Sequence, residues 1–149
     1  MIGRRADGLG ARVPARRSPL GYLWAAPNTL VGLAAAATVR RSRPAWWRGV
    51  LLLEEARGGV AWVLDRRGFA AITLGHVIIT NRRASDRLLA HELGHVGQHE
   101  RWGPGFYLAY LLGSLTGYKR NPFELAAQRH AVRVFDRGVP AAGARRKDR

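Results

Sequence analysis

Three observations predict an α+β fold. β-rich apolar runs crowd into residues about 50–80, helix-patterned segments take over from Ala84, and an uncharged, mostly apolar run at 20–39 precedes both. At 149 residues the chain has the length of one domain, and a hydrophobic content of 47% excludes a wholly disordered polypeptide. It contains no cysteine, which removes disulfides, thiolate zinc sites and cysteine nucleophiles and leaves His, Asp and Glu as the strong metal ligands. The net charge is +15, and all but two of the 25 basic residues are Arg. Such a charge attracts nucleic acid or an anionic membrane surface. The arginines are scattered, without a long block, which equally fits an Ala-, Gly- and Arg-rich composition from a GC-rich coding sequence. No RNA-binding motif with interleaved aromatics, zinc finger or DNA-reading helix is present, so nucleic acid is the less favoured partner.

Residues 1–19, with Arg4, Arg5, Arg12, Arg16 and Arg17 among Gly and Pro, read as a disordered basic tail, and residues 139–149 as another, bounding a domain at 20–138. The run at 20–39 is about long enough to cross a bilayer. It reads as a cleaved signal, as an anchor holding the arginines in the cytoplasm, or as a core or membrane-surface helix. Pro27 and Asn28 in mid-run favour the last of these, and with it a cytoplasmic location or a peripheral one on the cytoplasmic membrane face. Arg40 to Pro44 reads as a basic turn, followed by Trp46 and Trp47, which suit a membrane interface or a hydrophobic rim. Val50–Leu53 and Val60–Leu64 resemble a hairpin joined at Arg57-Gly58-Gly59, and Phe69–Thr80 a longer strand ending at the turn Asn81-Arg82-Arg83. A helix follows from Ala84 to about Arg101, capped by Ser85 or Asp86 and broken by Gly103-Pro104-Gly105. Phe106–Leu115 is an apolar helix, Tyr118–Asn121 a loop, and Pro122–Arg137 a last helix stopped by Gly138.

The chemistry concentrates at His91-Glu92-Leu93-Gly94-His95. Positions i and i+4 of a helix share a face, so both imidazoles reach one metal ion, and Glu92 lies beside them to act on a water. A catalytic zinc takes a third protein ligand and leaves one position open. The metzincin arrangement would put Gly at 98 and His at 101; Gln98 and Arg101 exclude it. His99 lies two turns from His91, too far along a rigid helix to share its metal. Gly94 and Gly97 each cost the helix about 1 kcal/mol relative to Ala, which suggests close packing against its backbone. His76, on the Ile72/Leu74/Ile78 face of the predicted strand, is a candidate donor to a transition-state oxyanion or else a satisfied core or surface residue. Tyr107, Tyr110 and Tyr118 are further candidate donors.

Asn121-Pro122-Phe123-Glu124 resembles the downstream helix of the gluzincin metallopeptidases, whose glutamate completes a two-His, one-Glu site. The resemblance implies that Glu124 is the third ligand of one zinc ion. Glu124, at the third helical position, could instead close a capping-box-like pair with Asn121, the less favoured of the two readings. Residues 22–131 as a whole are similar to a family of small bacterial zinc metallopeptidases. The similarity rests on Tyr22-Leu23-Trp24, Pro27-Asn28-Thr29, Ala71 to His76, Ala90 to Gln98, Glu100 to Pro104 and Asn121 to Glu124. The core Ala90-His91-Glu92-Leu93-Gly94-His95-Val96-Gly97-Gln98 is also similar to the bacterial domain of unknown function numbered 4157. These resemblances imply a minimal zincin-like domain that hydrolyses peptide or protein substrates, with Glu92 as general base and an extended peptide laid along the strand before the metal helix. Gluzincins often place an Asp shortly after the third ligand to orient a zinc-bound His. Ala127 and Gln128 stand there in this chain and leave that role open. The rival expectation is a non-catalytic basic module that docks on a membrane or nucleic acid, with any zinc structural.

Overall fold

The computed structural model describes residues 17–115 and 117–136. Among them the architecture is α+β, with helices on both faces of a four-stranded mixed sheet. Strands β1 (Arg41–Trp47) and β2 (Val50–Arg57) form an antiparallel hairpin across Arg48-Gly49, whose φ values of 50° and 76° are those of a type I′ turn. The basic turn expected at 40–44 is therefore the start of a strand. The hairpin expected between 50–53 and 60–64 does not form. Gly58 and Gly59, both at positive φ, turn the chain into helix α1 (Val60–Arg67), which buries Ala61 and Leu64 and is closed by Gly68 at φ 72°. A five-residue apolar run cannot tell the two periods apart; here the 61/64 spacing and the closing glycine decide for helix.

The strand expected over 69–80 is two strands. β3 (Ala71–Leu74) and β4 (Val77–Thr80) fold back on each other through Gly75-His76, with Gly75 at φ 61° as in a type II′ turn. The sheet order is β1-β2-β4-β3, with β2 and β4 parallel, so β3 is an edge strand. Side-chain alternation sorts the core into two halves. Val50, Leu52 and Ile78 meet helices α2 (Asp86–Trp102) and α3 (Pro122–Asp136) through Leu89, Leu93, Val96 and Ala131. On the other face Leu53, Val77 and Ile79 pack with Ala61 and with Ala35 and Ala36.

Ala35 and Ala36 belong to the run at 20–39, which is broken at Ala25 into helices α4 (Pro19–Trp24) and α5 (Ala26–Ala37). No described helix is long and apolar enough to cross a membrane. Asn28 is buried: its amide donates to the Gly103 carbonyl at 2.6 Å and meets His99 Nδ1 at 2.7 Å. The basic tail expected at 1–19 ends earlier, because Arg17 lies against Glu100 at 3.1 Å and a helix begins at Pro19. The remainder of that tail, residues 1–16, and residues 139–149 lie outside the described residues.

His99 is fully buried, with Nε2 donating to the Thr73 carbonyl at 3.2 Å and Nδ1 accepting from Asn28. Burial pushes its pKa down to about 4. A ring that is neutral when folded and protonates near 6.5 when unfolded contributes stability that is complete above pH about 6.5 and is lost as pH falls toward 4, at most about 3 kcal/mol. Denaturant unfolding of wild type at pH 7, 5.5 and 4 is expected to show this decline, and His99→Gln to flatten it. An equal decline in both proteins would contradict the assignment.

The two helix glycines differ. A Cβ on Gly94 would sit 3.0 Å from the Ala127 Cα, so the absence of a side chain lets α2 and α3 approach closely. Gly97 faces open space, and close packing does not account for it. Gly97→Ala is expected to raise stability by up to about 1 kcal/mol and Gly94→Ala to lower it, read from denaturant midpoints.

Candidate metal centre

Helix α2 starts where the sequence marks it: the Ser85 hydroxyl accepts the Leu88 N–H at 3.2 Å, with Asp86 in the first turn. One turn apart on its buried side, His91 and His95 bring their Nε2 atoms to 3.1 Å. Helix α3 supplies the third group. Asn121 caps it, its Oδ1 accepting the Phe123 N–H at 3.0 Å, and Pro122 occupies the first helical position. The Asn121 N–H is bonded to the Tyr118 carbonyl, so Glu124 does not close a capping box. Its buried carboxylate turns to α2 instead. Oε2 lies 3.4 Å from His91 Nε2 and Oε1 3.4 Å from His95 Nε2.

The donor set could hold a metal ion. One ligand atom from each of His91, His95 and Glu124 lies within 4.8 Å of the others, and the closest approaches are 3.1 and 3.4 Å. Ligand bonds of about 2.0–2.1 Å in tetrahedral array separate ligand atoms by about 3.3 Å, close to the shortest of these separations. Two imidazoles and one carboxylate suit a transition metal such as zinc better than the hard oxygen-seeking cations.

The surroundings orient these groups. Gln98 Nε2 donates to the Phe123 carbonyl at 2.8 Å, which presents Gln98 Oε1 to His95 Nδ1 at 2.9 Å. In the neutral ring this contact favours the proton on Nδ1 and leaves the Nε2 lone pair facing inward. The contact to His95 comes from Gln98, not from the neighbourhood of Ala127 and Gln128, where the resemblance to gluzincins led one to look for it. The Tyr110 hydroxyl donates to Glu124 Oε1 at 2.6 Å. Burial alone would raise the Glu124 pKa, but His91, His95 and Tyr110 hold it far below the usual carboxylate range. Burial would lower His95, yet Glu124 and Glu92 keep it above the ordinary imidazole value.

Glu92, beside the histidines, is nearly fully buried and accepts the Thr73 hydroxyl on Oε2 at 2.6 Å. Burial pushes its carboxyl above the ordinary range, outweighing the opposing pull of His95, Thr73 and His91. Both groups line a cleft of ≈ 360 Å³ whose walls come from the edge strand β3, from Phe69, and from Phe106, Tyr107, Tyr110 and Tyr118. The strand beside the site is thus β3, not the strand that immediately precedes α2.

Tyr118 is half-exposed at this cleft, in a 3-10 turn (Tyr118–Arg120) where a loop was expected, and its ring lies 5.6 Å from that of Phe69. His76 is elsewhere. It occupies the β3–β4 turn rather than a strand face, stacked on Tyr22 at 4.2 Å, with Nδ1 on Thr29 and Nε2 on Glu100. It does not line the cleft, and its bonds are those of a satisfied core histidine. His130 and His99 lie outside the three-ligand group. Sequence reasoning assigned no role to Thr73 or Gln98. Gln98 stands three residues after His95, a spacing at which helical side chains meet, and was legible on that ground. Thr73 was not, because its contact joins residues 19 apart in sequence.

Comparison of the chain with family models, curated proteins and solved structures gave no match.

Proposed function

We propose that the chain is a zinc-dependent metallopeptidase of gluzincin type, built on a minimal zincin-like domain. The observation that carries this reading is the convergence of His91, His95 and Glu124, with the buried Glu92 beside them at an open cleft. A bound zinc ion would supply Lewis acidity, lowering the pKa of a water in its open position toward neutrality. Thr73 engages Glu92 Oε2 and leaves Oε1 free to take a proton from the attacking water and hand it to the departing amine. Burial raises the proton affinity of this carboxyl, which suits a group that accepts a proton and then releases it. Burial, then the Glu124 charge and a hydrogen bond to the Glu124 carboxylate, keep the Tyr118 phenol protonated beside the site, where its hydroxyl could turn from Glu124 to donate to the developing oxyanion. Apart from the Thr73 carbonyl, which His99 holds, the outer edge of β3 offers main-chain hydrogen bonds to an extended peptide, and the aromatic wall offers burial to an apolar side chain next to the scissile bond.

An unfolded protein such as casein, incubated with the zinc-loaded chain, is expected to be cleaved. A chelator should stop cleavage and added zinc restore it. Cleavage indifferent to the chelator would contradict the reading.

A further inference from the structure

Helix α6 (Phe106–Ser114) carries its leucines on the wrong side for a helix that serves only the core. Leu108, Leu111, Leu112 and Leu115 follow the i, i+3, i+4, i+7 spacing of an apolar face, yet they are 64%, 64%, 57% and 80% exposed. The opposite side of the helix does the packing, with Phe106 and Tyr110 against His99 and Phe123. A second stripe adjoins it. Leu20, Leu23 and Trp24 on α4 are also exposed at i, i+3, i+4 spacing. The Trp24 ring lies against Gly103, in the turn that leads into α6. Solvent-exposed apolar area of this kind marks a docking surface.

The charge pattern selects its occupant. From Arg101 to Phe123 the chain has no acidic residue. Exposed basic residues bracket α6 at both ends, Arg101 before it and Lys119 and Arg120 after it, with the half-exposed Trp102 alongside. Leucines flanked by cations and tryptophan form the composition of a helix lying in a lipid interface. A second copy of the chain is disfavoured, because two chains of charge +15 repel. An anionic lipid surface satisfies both the apolar face and the cations.

We infer that the protein docks on anionic membrane surfaces through the leucine face of α6 and the adjoining α4, with Arg101, Lys119 and Arg120 meeting lipid headgroups. Tyr107 lines the metal-site cleft and stands one turn before Leu111, so docking would bring the cleft close to the bilayer surface. The inference rests on the exposed face and its charges and goes beyond the proposed hydrolysis; it holds or fails without any reference to cleavage.

The test is flotation of the full chain with vesicles of phosphatidylcholine containing about 30% phosphatidylglycerol, against vesicles of phosphatidylcholine alone. The wild type is expected to float with the anionic vesicles and far less with the neutral ones. The double variant Leu108→Glu, Leu111→Glu should bind at least about 10-fold more weakly at equal salt, and Lys119→Gln with Arg120→Gln several-fold more weakly. Circular dichroism spectra and denaturant midpoints unchanged in each variant would show that the fold survives. Flotation equal in wild type and the leucine variant would mean electrostatic adsorption by arginines elsewhere, and would overturn the inference. So would the absence of flotation, whether or not the leucine variant abolishes self-association or binding to a soluble protein.

Discussion

Glu92→Gln is expected to keep its zinc and lose its hydrolysis. The amide has the shape of the carboxyl and can still accept the Thr73 hydroxyl, so the packing at this nearly fully buried position survives. His91, His95 and Glu124 are untouched. The amide cannot take a proton from water at neutral pH, and loss of a general base lowers the rate by about 10²–10⁴-fold. The measurement pairs peptide cleavage with metal content on the same preparation. A Glu92→Gln protein with full activity would remove Glu92 from the mechanism. One that had lost its zinc would show that Glu92 supports the metal site rather than the reaction.

Glu124→Ala carries the second large effect. It removes the carboxylate that faces both histidine Nε2 atoms and leaves the Tyr110 hydroxyl without its acceptor. Loss of a group that merely orients a ligand costs about 10–100-fold in metal affinity, so loss of a ligand itself is expected to exceed about 100-fold. The variant also separates the two roles that the sequence left open for this residue. Asn121 Oδ1, not Glu124, caps Phe123, so helix α3 should persist by circular dichroism while zinc affinity collapses in competition with a chromophoric chelator. Zinc affinity equal to wild type would eliminate Glu124 as a ligand.

The helical half of the fold was legible in the sequence because its punctuation is local. Ser85 opens α2, Gly103 closes it, and Asn121-Pro122 opens α3, each through contacts within a turn of chain. The pentad could be read for the same reason: helical spacing alone brings His91 to His95. The β region was misread where the chain's direction depends on single glycines. Gly59 and Gly75 at positive φ decide between strand and helix, and between one strand and two, while the apolar residues around them fit either reading. The run at 20–39 looked continuous because its break at Ala25 has no local breaker stronger than Pro27, which fits the first turn of α5. Asn28 makes sense only through Gly103 and His99, more than 70 residues away. Within the site, His76 was placed on a strand face that does not exist, and its partners Thr29 and Glu100 come from two different helices.

The central claim, that His91, His95 and Glu124 hold one metal ion, is tested most directly by counting zinc in purified protein after dialysis at neutral pH. The account predicts one zinc ion per chain in the wild type and none in His95→Ala. A wild-type protein without stoichiometric zinc, or a His95→Ala protein that retains it, would contradict the account.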